Sequence, residues 1–187
     1  MQLDEAIQKR KSVRKYLSKK PDWRDIIEAI DATRYAPMAG NIFTLNSILV
    51  SDGKLIEQVK NFCGQDFLGK AHYLVVFISD KRIVTKSFGD DAEKYLRQQA
   101  GAAIENFLLK LTELKLSTCW VGLFDEEHIK KLLKIPDSYN IEAICPIGYD
   151  GENKPQRKKP DFETMIHFNT FGYRKMHADG KQVEPFS

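Results

Sequence analysis

Tyr73-Leu74-Val75-Val76-Phe77-Ile78-Ser79 is a nearly continuous apolar run, and its reading decides the fold. A half-exposed strand alternates apolar and polar residues, whereas a strand covered on both faces does not. The run therefore reads as a central β-strand buried on both sides. Downstream, Asp91 to Leu114 carries Leu96, Ala100, Ala103, Ile104, Phe107, Leu108 and Leu111 at helical spacing. This is the longest helix and the natural backbone of the core.

Working outward, Ser47–Ser51 reads as a strand and Lys54–Cys63 as a short helix. Thr118–Gly122 reads as a strand before a helix through Leu133, capped by Asp125, with Glu126 and Glu127 favourably placed at the positive end of its dipole. Glu142–Tyr149 is one more strand. At the N-terminus, Leu3 and Ile7 lie one turn apart in a short helix, Leu3 to Lys9, and the RKSVRKY segment that follows is extended. Asp22 caps a helix from Trp23 to Tyr35 with Ile26, Ile27 and Ile30 as its apolar stripe, and Pro37 ends it. Gly64–Lys70 and Asp80–Asp91 are the stretches with room for a lid, and both are short. After the strands come an exposed basic loop, GENKPQRKKP, a helical turn at Asp161–Ile166, and a polar tail with no core signal. Helices and strands are mixed, with neither a Gly-rich dinucleotide turn nor an internal repeat. The expected class is α+β, one domain over residues 1–187, with 169–187 a tail that is disordered or wraps a partner.

Composition narrows the function. The chain has 187 residues, 42% of them hydrophobic and 29% charged, which suits a globular protein. A net charge of +3 does not call for nucleic acid or a membrane surface. No apolar run approaches the roughly 20 residues of a spanning helix, and the first residues lack the apolar core of a signal peptide. Cys63, Cys119 and Cys145 are odd in number and set in apolar surroundings, so buried reduced thiols in a cytoplasmic protein are expected. No Cys or His pair has metal-site spacing, so no metal is expected.

Four segments carry polar chemistry. In the extended Arg10-Lys11-Ser12-Val13-Arg14, residues 10, 12 and 14 share a face at steps of about 6.8 Å. Two guanidinium forks and a hydroxyl in line suit an elongated anion with a phosphate at one end and a polar ring at the other. Ala36-Pro37-Met38-Ala39-Gly40-Asn41 is a small-residue loop that permits close approach to a flat ligand, with Asn41 offering donors and an acceptor. Cys119-Trp120-Val121-Gly122-Leu123-Phe124 ends a strand, and Gly122 can bring a bare backbone N–H to a ligand atom. Lys154-Pro155-Gln156-Arg157-Lys158-Lys159-Pro160 adds basic charge.

In their order these segments resemble the nitroreductase family of flavoproteins, from about Leu3 to Ile166. "RKSVRKY" is similar to that family's Arg-x-Ser-x-Arg segment, "APMAGN" to its small-residue loop, and "GAAIENFLLKLTELKLSTCWVGLFD" to its long central helix and following turn. "ICPIGY" with "RKKP" resembles its last core strand and basic loop. The resemblance implies a mostly antiparallel sheet flanked by helices in an intertwined homodimer, with FMN at the subunit interface. It implies that Arg10 and Ser12, with Lys11, hold the FMN phosphate and that Arg14 sits at N1 and O2 of the flavin. Lys158, with Arg157, takes the place of the C-terminal phosphate ligand. Pro37, Met38, Ala39 and Asn41 match the loop that comes from the other subunit. Gly122, with Leu123 beside it, corresponds to the position whose backbone N–H meets flavin N5. The implied activity is ping-pong hydride transfer from NADH or NADPH to a nitroaromatic, quinone or similar acceptor, with no catalytic side chain. A flavin carrier or sensor without turnover, and a specialised member such as a dehalogenase or heterocycle oxidase, are the alternatives. The chain departs from the family pattern at Ile42-Phe43-Thr44-Leu45, where x-Gln-Pro-Trp is common, at Ala71-His72, where Ala-Pro is common, and at Lys158, where arginine is common.

Overall fold

The strand that decides the fold occupies the middle of a four-stranded sheet. A computed structural model describes residues 1–152, 154–174, 176–178 and 181–183, the last two stretches as backbone. It divides the chain into two compact units, Met1–Lys154 and Pro155–Ser187. In the first unit, strands β1 (Leu45–Val50), β2 (Tyr73–Asp80), β3 (Ser117–Thr118) and β4 (Tyr139–Gly148) lie in the order β1-β2-β4-β3. All the pairings are antiparallel. Every residue of β2 is buried, as its unbroken apolar run requires.

Alternation along β2 divides the core. Tyr73, Val75 and Phe77 face the layer of the long helix, together with Ala143, Cys145 and Ile147 of β4. Leu74, Val76 and Ile78 face the opposite layer with Ile144. The helices are α1 (Leu3–Lys9), α2 (Trp23–Asp31), α3 (Gly53–Cys63), α4 (Lys81–Phe88), α5 (Ala92–Glu113) and α6 (Glu126–Leu133). On the first face, Phe77 meets Phe107 of α5 edge to face, with ring centroids 4.9 Å apart. On the second face, Ile56, Val59 and Cys63 of α3 pack with Ile129 of α6. Asp22 caps α2 through Arg24 N–H, and Asp125 caps α6 through His128 N–H, as read from sequence.

The structure corrects several boundaries. The helix from Trp23 stops at Asp31 and tightens into a 3-10 turn, Ala32–Tyr35, and the first strand is Leu45–Val50 rather than Ser47–Ser51. The stretch from Asp80 to Asp91, expected as a short lid candidate, contains helix α4, capped by the Asp80 carboxylate through Arg82 N–H. The strand expected over Thr118–Gly122 is regular only at Ser117–Thr118. The pairing Thr118↔Ile147 places Cys119 opposite Pro146, which has no N–H to donate to the ladder. Val121 then rejoins β4 in the same register, exchanging both backbone hydrogen bonds with Ile144 at 3.0 Å.

All three cysteines are buried and free. Among the described residues no helix is long and apolar enough to cross a membrane. The second unit has a 3-10 turn at Phe162–Thr164, inside the expected helical turn, and an antiparallel pair, β5 (Met176–Ala178) and β6 (Lys181–Val183). That pair falls in the tail read as having no core signal. Asn153, Lys175, Asp179, Gly180 and residues 184–187 lie outside the described residues, so the tail expectation falls partly on them.

Candidate functional site

The basic segment after α1 is extended because it is fastened on two sides. Ser12 forms a parallel bridge with Thr118, and Val13 N–H donates to Thr118 O at 2.9 Å. On the other side Leu17 N–H donates to Tyr149 O (3.0 Å), Gly151 N–H to Lys15 O (2.9 Å), and Arg14 N–H to the Glu152 carboxylate (2.8 Å). Val13 is buried, while Ser12 and Arg14 are exposed. The Tyr16 hydroxyl donates to Val13 O (2.7 Å) and to Pro146 O (3.3 Å), and burial pushes the phenol well above its ordinary range. The Tyr16 ring requires glycine beneath it, since a Cβ on Gly148 would come within 2.7 Å of the ring.

Arg10, Lys11 and Ser12 line a cavity of about 170 Å³, together with Lys9, Lys115, Thr118 and Asp150. Several of its charges are already engaged. Lys9 pairs with Glu5 (2.5 Å), Arg10 Nε with Glu105 (3.3 Å) and Lys11 with Asp150 (2.6 Å). Arg14 is not part of this cavity, and its guanidinium carbon lies 5.9 Å from the centre of the Phe67 ring. Gly122 and Leu123 are exposed in the turn before α6. The cavity does not include them.

The small-residue loop lies elsewhere on the chain. Pro37, Met38 and Ala39 line an open cavity of about 350 Å³ with Tyr95, Gln98, Gln99 and Ala102 of α5. Gly40 and Asn41 both adopt left-handed backbone, with φ of 57° at each. A Cβ on Gly40 would also stand 3.1 Å from the Phe88 ring, so glycine is needed there twice over. The loop is pinned by Gln99, a buried amide that accepts from Ala39 N–H (3.3 Å) and donates to Thr44 Oγ1 (2.6 Å). Sequence reasoning missed Gln98 and Gln99. The available signal was a glutamine, Gln99, within the apolar stripe of Leu96, Ala100 and Ala103, since a buried polar side chain needs a partner.

The residues expected around one ligand thus do not gather in one place: Arg10–Ser12 and Pro37–Ala39 line two cavities, and Arg14, Gly122 and Leu123 line neither. The basic cavity meets α5 at Leu108 and Thr112, and the loop cavity meets it at Gln98 and Gln99. The nearest α5 residues of the two cavities, Ala102 and Leu108, are six positions apart, roughly 9 Å at the α-helical rise. Arg157 and Lys158 belong to the second unit, where both are exposed and the Lys158 ammonium is 3.9 Å from Asp161.

A profile described as the nitroreductase family matches residues 7–68 and 58–149. The chain is 27% identical to an iodotyrosine deiodinase of Thermotoga neapolitana over 187 aligned positions, covering 90% of this chain and 98% of that one. Among solved structures, an FMN-dependent nitroreductase from Clostridium difficile R20291 is 26% identical with a TM-score of 0.76, covering 89% of this chain and 98% of that one. The NADPH:FMN oxidoreductase of Vibrio harveyi, complexed with NAD+, has a TM-score of 0.81 at 17% identity, covering 90% of this chain and 77% of that one. That last likeness bears on the fold alone. The chain belongs to the nitroreductase family, and with it to the oxidoreductases.

Proposed function

We propose that the protein is an FMN-dependent NAD(P)H oxidoreductase acting as a homodimer, cytoplasmic, and reducing a nitroaromatic, quinone or similar small acceptor. The observation that carries this reading is the split site: the basic cavity and the small-residue loop sit at different points along α5 of one chain. A second copy can bring its loop to the first copy's basic segment. Exposed Met1, Leu3, Ile7 and Tyr35 offer an apolar surface for that association.

The donor set fits the cofactor's phosphate. A phosphate dianion asks for cations and hydroxyl donors, and the cavity brings together Arg10, Lys11 and Ser12. When bound, FMN supplies the ring that exchanges hydride, and the protein's part is position and electrostatics. Ser12 donates to the phosphate, and Arg10 and Lys11 neutralise it. Arg14, exposed two residues further on, places positive charge at the pyrimidine end of the ring, which favours the reduced form. The exposed turn at Gly122 and Leu123 offers backbone N–H groups at the ring edge. Pro37, Met38, Ala39 and Asn41 of the second copy close the other side. Nicotinamide and acceptor occupy the same exposed face in turn, so the cycle is ping-pong and no side chain acts as nucleophile or base. The assignment of Arg157 and Lys158 to the phosphate rests on the sequence resemblance.

A second reading, reductive dehalogenation of an aryl halide, is supported by the likeness to the deiodinase. This chain covers 98% of that deiodinase, so length does not separate the two readings. Simple acceptor reduction is preferred on the likeness to the FMN-dependent nitroreductase.

The test is the visible absorption spectrum of the purified protein with identification of the chromophore released on heating, followed by NAD(P)H oxidation with menadione, nitrofurazone and iodotyrosine. Bound FMN with turnover of the first two acceptors is the expected result. Iodide release without nitro reduction selects the dehalogenase, and reduction by dithionite alone selects a flavin carrier. A colourless protein that takes up no added FMN removes the proposal.

A further inference from the structure

Four basic side chains line the basic cavity, and three of them already have a carboxylate: Lys9 has Glu5, Arg10 has Glu105, and Lys11 has Asp150. The fourth, Lys115, makes no ion pair among the described residues. An anion entering the cavity shares each of the first three cations with an existing acid. At Lys115 it meets a whole positive charge. Lys115 is also two residues beyond the end of α5, far from Arg10–Ser12 in sequence but lining the same cavity.

Its backbone is informative in a second way. Lys115 adopts φ of 61°, a conformation in which glycine is the unstrained residue. Lys134, which caps α6 at φ of 56°, adopts the same conformation, its backbone N–H donating to Lys130 O and Lys131 O. Strain is therefore not the argument. The cavity and the unspent charge separate Lys115 from Lys134, which lines no part of this cavity.

We propose that Lys115 is a further charge ligand of the anionic end of the cofactor, binding one phosphate oxygen as a point charge beside Arg10, Lys11 and Ser12. This rests on the reading of the cavity as a flavin phosphate site. It predicts an electrostatic contribution confined to the phosphate, which riboflavin lacks.

The experiment compares FMN with riboflavin binding, by quenching of flavin fluorescence, in the unaltered protein and in Lys115→Gln, Lys115→Gly and Lys134→Gly. Lys115→Gln and Lys115→Gly are expected to weaken FMN binding by about tenfold or more while leaving riboflavin binding unchanged. Lys134→Gly is expected to change neither. Both glycine variants are expected to melt at a higher temperature without flavin, since each relieves a left-handed lysine. Equal loss of FMN and riboflavin in Lys115→Gln, or loss of neither, overturns the assignment while FMN binding by the unaltered protein stands. If the unaltered protein binds FMN no better than riboflavin, the phosphate reading of the cavity fails, and this assignment fails with it.

Discussion

The two ends of α5 carry opposite kinds of surface. Near Leu108 and Thr112 the wall is built from lysines, an arginine and hydroxyls, and its partners are ions. Near Gln98 and Gln99 the wall is built from proline, methionine, alanine and two amides, with no charge in it. The first suits a small hard anion and the second a flat, largely apolar body. Along α5 the nearest wall residues of the two, Ala102 and Leu108, are six positions apart, roughly 9 Å. On the function proposed above, the difference teaches that each chain carries two halves of a site that assembly brings together.

The largest expected effect tests that separation directly. Arg10→Glu, which places a carboxylate in the basic cavity, and the double change Pro37→Glu with Asn41→Asp, which charges the exposed loop, are each expected to lower FMN affinity by more than about tenfold. Co-expressed with different tags and purified as the mixed dimer, the two chains pair one intact cavity with one intact loop. That dimer is expected to bind flavin at one of its two sites. No recovery in the mixed dimer would mean that cavity and loop serve the same chain's ligand, and the comparison would collapse.

A smaller effect sharpens the contrast between the halves. Gln99→Leu leaves Ala39 N–H and Thr44 Oγ1 without their partner in a buried place, at a cost of roughly 1–3 kcal/mol in urea unfolding. It loosens the loop, so FMN and riboflavin affinities are expected to fall together. Tyr16→Phe removes the hydroxyl that holds Val13 between Ser12 and Arg14, at about 1 kcal/mol. Its effect is expected to fall more on FMN than on riboflavin. If the two variants show the same FMN-to-riboflavin ratio, the division of labour between the halves is wrong.

The smallest effect concerns the core beneath both halves. Burial pushes the Cys63 thiol up to about 11 and the Cys145 thiol up to about 12, and it raises Cys119 as well. Because the folded state disfavours the thiolates, their contribution to stability is complete below the ordinary thiol range. It is lost as pH climbs through about 11 and 12. At pH near 8 the folded protein is therefore expected to react with a thiol reagent at under about a tenth of the rate of the urea-unfolded chain. Rapid modification of Cys119 alone would show that the turn at Trp120 opens.

Much of this was legible without coordinates, for identifiable reasons. The unbroken apolar run at Tyr73–Ser79 and the periodic stripe of α5 are local patterns, and both elements formed where the patterns lie. Asp22 and Asp125 announced helix starts because capping is a short-range hydrogen bond. The break after Thr118 was not legible, because it depends on which residue of β4 stands across the ladder, and Pro146 is 27 positions from Cys119 in the chain. Helix α4, eight residues with Val84 as its buried residue, carries little local signal beyond the capping aspartate at Asp80. Gln99 was hidden in an apolar stripe until its partners, Ala39 and Thr44, came into view.

By itself the sequence determined the family, the central strand and long helix, and the identity of the basic and small-residue segments. These follow from residue chemistry and from periodicities that act over a few positions. Only the tertiary structure decided that Arg10–Ser12 and Pro37–Ala39 line different cavities, that Lys9, Arg10 and Lys11 are matched by acids from Glu5 to Asp150, and that among the described residues Lys115 is not. The physical reason is that charge pairing and separation depend on which distant residues are brought within a few ångströms. No local pattern carries that information.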